Sequence, residues 1–196
     1  MSSKDYLKLI RKDNDEKAFT SLLCDLFKSS DNIFNKFIKY CVDPKNILPS
    51  LVFDFKANDI EKEKVIKSSI DDEEVCEEGI DIFAENKDSV VIIVNKINSG
   101  LNGTYEADGK KKSQLSTYYN KYKDKNTLCF IMCPDFKKNE LIEEIKKEDP
   151  EMENVYDFIL YSKIKEFLKK EDWNDFSHKD LIEDIINVLD YYLTKI

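Results

Sequence analysis

Two charged residues, Asp81 and Lys96, lie in consecutive segments that the sequence predicts as strands. Asp81 belongs to the alternating run GIDIFAEN (79–86), and Lys96 follows the apolar run VVIIV (90–94). The turn NKDS joins these segments, so Asp81 could sit beside the face that carries Lys96. A carboxylate can hold a divalent cation, and a lysine can orient a water or stabilise negative charge, as in sites that handle phosphate. A surface salt bridge at the rim of a sheet would use the same pair.

The alternation of side chains along a strand sorts the neighbouring residues onto two faces. Residues two apart share a face, so Val94 and Lys96 point to one side and Asn95 to the other. Glu85 is four residues after Asp81 and therefore shares its face. Glu85 is thus a candidate for a further carboxylate at the site.

The segment KKSQLSTYYNKYK predicts a helix over about 111–123. Gln114 and Tyr118 are four residues apart and share a helical face. Lysines that precede interleaved aromatic residues suit a nucleic-acid backbone and base stacking. The candidates for such contacts are Lys110, Lys111, Lys112 and Tyr118. A solvated helix face with a half-buried aromatic edge would show the same pattern.

The remaining segments must position these residues. Apolar positions recur at helical spacing in four segments, which are residues 14–28, 31–41, 138–149 and 180–196. TLCFIMCP (127–134) reads as a second strand that is apolar throughout, and 154–170 as a strand followed by a helix. Residues 51–57 and 62–70 are strands or irregular connections. Strands that are apolar on both faces and separated by helices predict an α/β fold, with a mixed sheet covered on two sides and 1–196 as a single domain.

Charge limits the classes of partner. The net charge of −9 argues against a broadly basic protein that coats nucleic acid, although a local basic groove stays compatible with it. The acidic runs DDEEVCEE (71–78) and EDPEME (148–153) would repel DNA. They would suit a basic protein partner, and they would equally suit solvated loops.

Cysteine spacing and hydropathy define the expected compartment. None of the five cysteines forms a C-x-x-C pair and the single histidine is His178, so no zinc pattern is present. We interpret the cysteines as small buried hydrophobic residues in a reducing cytosol. No apolar run approaches the ~20 residues of a membrane span, and no leader opens the chain. The sequence predicts a cytoplasmic protein without a membrane partner.

Taken in order, these motifs resemble the PD-(D/E)XK nuclease superfamily, in the branch with an aspartate strand, then I-I-I-E-N-K-I, then Q-L-x-x-Y on a helix. The matching positions are Asp81 for the first acidic motif, Lys96 for the motif lysine, and Gln114, Leu115 and Tyr118 for the helix motif. Glu16 with Phe19 and Thr20 resembles the first-helix E-x-x-F-T pattern, and FILYSKIKEFL (158–168) resembles the closing segment. The resemblance implies a restriction-endonuclease-like three-layer core, a mixed central sheet flanked by helices.

The resemblance also implies roles for these residues. Asp81 would bind Mg²⁺, with Glu16 and Glu85 as candidates to complete the coordination, Lys96 would position the attacking water, and Gln114 would orient the DNA substrate. The second acidic position of the family is Val94, which supplies no oxygen ligand, so Mg²⁺ binding would be weak or absent. Two hypotheses follow: a Mg²⁺-dependent DNA hydrolase with an altered site, and an inactive pseudo-nuclease that binds a protein or a nucleic acid.

Overall fold

A computed structural model of the chain describes residues 15–41, 54–70, 74–101, 103–105, 111–174 and 176–194. Within these ranges, residues 15, 66–70, 74–78, 103–105 and 111–113 are described for their backbone alone. The helices are α1 (Asp15–Lys28), α2 (Ile33–Cys41), α3 (Gln114–Tyr122), α4 (Lys138–Glu148), α5 (Tyr161–Lys170) and α6 (Lys179–Leu193). The strands are β1 (Ile60–Ile70), β2 (Glu74–Glu85), β3 (Ser89–Asn95), β4 (Gly103–Tyr105), β5 (Lys111–Ser113), β6 (Asn126–Cys133) and β7 (Tyr156–Leu160).

Five strands form one mixed sheet in the order β1-β2-β3-β6-β7. The strands β1, β2 and β3 pair antiparallel, whereas β3, β6 and β7 pair parallel. Parallel neighbours require crossover connections, which here contain α3 and α4. The three parallel strands therefore end together, at Asn95, Cys133 and Leu160. This carboxyl edge of the sheet is where open α/β sheets place their ligand sites.

Two apolar cores cover the faces of this sheet. On one face α1, α2, α5 and α6 contribute buried residues that include Phe19, Phe34, Phe167 and Ile185. On the other face α3 and α4 contribute buried residues that include Leu115, Tyr118, Leu141 and Ile145. All seven residues of β3 are buried, because a central strand between two helical layers has no solvent-facing side. The predicted α/β fold, with a mixed sheet between helical layers, is confirmed.

Two segments differ from the sequence-based expectation. Residues 60–70 form the edge strand β1, where the sequence left a strand and an irregular connection as alternatives. The predicted helix over 111–123 begins only at Gln114, because 111–113 pair with 103–105 as a short antiparallel ribbon. The three residues before Gln114 are therefore extended, and the helix prediction was wrong for them.

The polar residue Asn95 lies at the end of β3 with no exposed surface. Its Nδ2 donates to the Glu16 backbone oxygen at 3.1 Å and to Thr20 Oγ1 at 3.3 Å. Its Oδ1 accepts a hydrogen bond from the Tyr161 hydroxyl at 2.7 Å. A buried amide is tolerated only when its donors and acceptors are paired. Asn95 thus joins the sheet to α1 and α5.

Four cysteines in the described residues carry free thiols: Cys24, Cys41, Cys129 and Cys133. Burial raises the pKa of each of these thiols to about 12. They stay protonated at neutral pH and act as packing groups. Among the helices that the structure describes, none is both long enough and apolar enough to cross a membrane.

Replacing Tyr161 with Phe tests the hydrogen bonds by which Asn95 links β3 to α1 and α5. The substitution removes one hydroxyl and leaves the Asn95 amide oxygen buried without this donor. We expect the free energy of unfolding to fall by about 1–2 kcal/mol, measured by urea denaturation. Tyr119→Phe, at a half-buried tyrosine on α3, is the matched control and should change it by less. An equal fall in the free energy of unfolding in the two variants would contradict this role of Asn95.

Candidate functional site

The Asp81 side chain replaces part of the hydrogen-bond ladder between two strands. The ladder of β2 with β3 runs from Glu85↔Val90 to Ile82↔Ile93 and does not continue to Asp81. Beyond that point Asp81 Oδ2 accepts the Asn95 backbone N–H at 2.8 Å. The carboxylate is therefore held at the carboxyl edge of the sheet, beside the last residue of β3.

Lys96 is only 5% exposed and lies on the α3 side of the sheet. Its backbone N–H donates to the Met132 oxygen of β6 at 2.8 Å, and its Nζ donates to Gln114 Oε1. Gln114 Nε2 donates to the Tyr118 hydroxyl at 2.9 Å, and that hydroxyl donates to the Gly79 oxygen of β2 at 2.8 Å. A chain of hydrogen bonds thus runs from the ammonium across α3 and back to the strand of Asp81.

The electrostatics of Asp81 and Lys96 are coupled. Burial raises the pKa of the Asp81 carboxyl to about 6, against the opposing effects of the Asn95 N–H and the Lys96 ammonium. Burial lowers the pKa of Lys96, while the carboxylates of Asp81 and Glu16 act in the opposite direction. Asp81 and Lys96, both described, form no direct ion pair within 4.0 Å. The structure therefore brings the two groups to one edge, where they interact through space.

The carboxylate of Glu16, in the first turn of α1, binds the turn that follows Lys96. Glu16 Oε1 accepts the backbone N–H groups of Ile97, Asn98 and Ser99 at 2.7, 2.9 and 3.0 Å. The Ser99 hydroxyl donates to both carboxylate oxygens, at 2.8 and 2.9 Å. Burial alone would raise the pKa of Glu16, but these hydrogen bonds lower it below its usual value. Glu16 is held as an anion by the turn.

Two further charged residues bind the same segment, and sequence reasoning missed both. Lys137 Nζ donates to the Ser99 oxygen at 2.6 Å, and Glu144 Oε1 accepts the Leu101 N–H at 2.7 Å. A Cβ at Gly100 would lie 2.8 Å from Glu144 Oε1, so an alanine there would require the end of the flexible glutamate side chain to shift. Lys137 lies 38 positions after Ser99 in the chain, and Glu144 lies 43 positions after Leu101. No local sequence pattern marks contacts over such separations.

The structure does not bring every predicted site residue to this edge. Glu85 pairs with Val90 at the opposite end of the ladder and forms a salt bridge with Lys125 at 2.6 Å. Four residues of strand separate it from Asp81, about 13 Å at the usual rise per residue. Glu85 therefore does not join Asp81 in one group.

The predicted nucleic-acid contacts are only partly described. Tyr118 is 0% exposed and its hydroxyl is hydrogen-bonded, so the prediction that it stacks on bases was wrong. Its ring faces the core because α3 packs that side against the sheet. Lys110 lies outside the described residues, and Lys111 and Lys112 are described for their backbone alone. Their contacts with nucleic acid stay a prediction.

The oxygen donors at the edge do not fit a two-carboxylate magnesium site. Mg²⁺ prefers several oxygen ligands in octahedral geometry. Val94 is 0% exposed and packs in the same core as Leu115, so it adds a buried hydrocarbon and no oxygen ligand to this edge. Both Glu16 oxygens already accept hydrogen bonds. Within the described part of the chain, no group of three His, Cys, Asp or Glu side chains converges as a metal site.

Comparison with known proteins points to one family. A family model described as the PD-(D/E)XK nuclease superfamily matches residues 3–190. The match spans nearly the whole chain and includes every strand of the sheet. Neither a curated protein nor a solved structure matches the chain at a significant level. The family match agrees with the resemblance carried by the motifs around Asp81 and Lys96.

The raised pKa of Asp81 predicts how Asp81→Asn changes stability with pH. Between pH 3.8 and about 6 the folded carboxyl keeps a proton that the unfolded one loses, so wild-type stability falls as pH rises through this window. The asparagine variant lacks this loss and retains an oxygen for the Asn95 N–H. Relative to wild type, its free energy of unfolding should be higher by about 3 kcal/mol above pH 6 and little different at pH 4.

Thermal melts of wild type and Asp81→Asn from pH 4 to pH 8 check this expectation. Asp124→Asn, at an exposed residue in the turn before β6, is the control and should show no such pH-dependent difference. A stability difference between Asp81→Asn and wild type that stays constant over the whole range would contradict the assignment.

Proposed function

The chain belongs to the PD-(D/E)XK nuclease superfamily, and on that basis we propose that it is a pseudo-nuclease, which binds DNA at the carboxyl edge without efficient Mg²⁺-dependent cleavage. The observation that carries the proposal is the set of oxygen donors around Asp81. By the motif resemblance, the buried Val94 stands where the family has one of the two carboxylates that hold its metal. Removing one of two anionic ligands weakens the binding of a hard cation strongly.

The hydrogen bonding of Asp81 supports the same proposal. Burial raises the pKa of its carboxyl to about 6, so protonation competes with metal binding only below that pH. Asp81 also has a structural role that needs no metal, because it accepts the Asn95 N–H where the β2–β3 ladder stops. This structural role explains why an aspartate is present at position 81 even without a bound metal.

The cationic groups of the edge support DNA as the ligand. Lys96 uses one of its three N–H donors on Gln114, and the others can donate to a phosphate oxygen. Lys137 lies beside it and adds positive charge, which opposes protonation of Lys96. A basic protein partner for the acidic runs 71–78 and 148–153 is the rival ligand class.

A second candidate function, retained DNA hydrolysis, is favoured by one specific observation. Glu63 of β1 lies between Lys62 and Lys64, which pair with Ile82 and Ile80, so it stands across from Asp81. Its φ of 52° is in the left-handed region, where residues other than glycine are strained in a strand. After burial, nearby carboxylates including Glu63 also raise the pKa of Asp81. In this alternative Glu63 supplies the missing carboxylate and Lys96 positions the attacking water.

Replacing Lys96 with Met tests the DNA-binding surface. Methionine keeps the apolar stem but removes the ammonium, so one phosphate contact should be lost. We expect the slope of log K against log salt concentration to become shallower by about 0.9 on duplex DNA and about 0.7 on a single strand. Fluorescence anisotropy on linear, nicked and single-stranded DNA measures it. Lys125→Met removes a charge at the opposite end of the ladder and should leave the slope unchanged. Equal slopes for all three proteins would place the DNA elsewhere.

Replacing Val94 with Glu separates the two candidate functions. The new carboxylate would lie on the face of Lys96, next to Asp81, and should create a Mg²⁺-dependent rise in Tm that the wild type lacks. If the wild type itself cleaves DNA with Mg²⁺ or Mn²⁺, and Glu63→Gln abolishes cleavage, the pseudo-nuclease proposal is wrong. Scanning fluorimetry and a gel-based cleavage assay with both metals provide the two readouts.

A further inference from the structure

The turn Ile97–Ser99 presents three consecutive backbone N–H groups to a single oxygen atom. Glu16 Oε1 accepts all three within 3.0 Å, and the Ser99 hydroxyl adds a fourth donor at 2.8 Å. Successive N–H groups that converge in this way form a nest, the backbone arrangement that binds phosphates and other anions. The turn is therefore a complete anion site, and the anion in it belongs to the chain itself.

The surroundings of this nest carry charges of both signs: the ammonium groups of Lys96 and Lys137, and the carboxylates of Asp81 and Glu144. The turn follows Lys96 directly, and Lys137 Nζ donates to the Ser99 oxygen at 2.6 Å. Both ammonium groups would attract a second anionic oxygen that extends beyond the nest. A carboxylate carries two oxygens, and Glu16 uses both on the turn. A phosphate carries additional oxygens, which could reach the ammonium groups while one oxygen fills the nest.

We propose that the turn Ile97–Ser99 is a phosphate-binding nest, which the carboxylate of Glu16 fills as a tethered substitute until a phosphate group displaces it. The inference rests on the proposed function, because the phosphate would be one of the bound DNA backbone. It adds a specific contact point beside Lys96 and a reason for the position of Glu16.

The position of Glu16 permits this exchange. Glu16 is half-buried in the first turn of α1, while the helix is held in the core by deeper residues such as Phe19 and Leu23. The carboxylate can leave the nest by rotation of its own side chain, without moving the helix. The contact from the Glu16 backbone oxygen to Asn95 would remain and keep α1 in place.

A purely structural clamp is the competing explanation, and chemical rescue distinguishes the two. Glu16→Ala empties the nest, so its Tm in chloride should fall. Inorganic phosphate at the same ionic strength should then raise that Tm by about 2–4 °C when present at several times its dissociation constant. Glu144→Ala is the control, because Glu144 accepts the single N–H of Leu101 in the same segment. Phosphate should raise the Tm of this variant, and that of the wild type, by less than the Tm of Glu16→Ala. No phosphate-specific gain in Glu16→Ala would overturn the proposal.

A second variant and a second ligand complete the test. Glu16→Gln keeps an oxygen for the nest and preserves folding if the alanine variant does not fold; it should bind phosphate more tightly than the wild type, because a neutral amide is displaced more easily. Equal phosphate affinity of Glu16→Gln and wild type would count against the nest. A short single-stranded oligonucleotide should also bind Glu16→Gln more tightly. Rescue by phosphate without any binding of the oligonucleotide would retain the nest and reject DNA as the ligand of the proposed function.

Discussion

The structure depends on how the polar groups are paired where β3 leaves the sheet. A strand buried on both faces must give each N–H, C=O and polar side chain a partner when its ladder stops, because an unpaired buried group costs about 1–3 kcal/mol. Here Asp81 accepts the last N–H, Asn95 binds α1 and α5, and Lys96 binds α3 and β6. Five elements (β2, β6, α1, α3 and α5) are thereby tied to two consecutive residues, which also belong to the candidate site.

The features that sequence could predict are those with a local signature. Apolar runs and their helical or alternating spacing predicted β2, β3, β6 and β7, the helices and the class of fold, but not β4 and β5. The short turn before β3 indicated that Asp81 could lie near Lys96. The carboxylates that accept the N–H groups of the segment after Lys96 could not be predicted from local patterns. Glu16 lies 81–83 positions before the residues it binds, and Glu144 lies 43 positions after Leu101. The burial of Tyr118 was missed because a helical face of aromatic residues suits a core as well as a surface.

In the proposed pseudo-nuclease, Val94 stands in place of a metal ligand. A carboxylate at that position would have to be buried beside Asp81, and the hydrocarbon avoids the cost of two buried like charges. The remaining polar groups are satisfied by the protein itself: the ammonium by Gln114, one carboxylate by the end of β3 and the other by the turn. The proposed function rests on this edge, where two lysines remain and the carboxylates of Asp81 and Glu16 already accept hydrogen bonds from the protein.

A crystal of the protein soaked in Mn²⁺ would test this account most directly, through the anomalous difference map at the manganese absorption edge. Manganese binds the same oxygen ligands as magnesium and is visible by its anomalous scattering. A pseudo-nuclease edge should give no peak beside Asp81 in the wild-type protein. A strong peak bridging the carboxylates of Asp81 and Glu63 would contradict it and establish a working metal site.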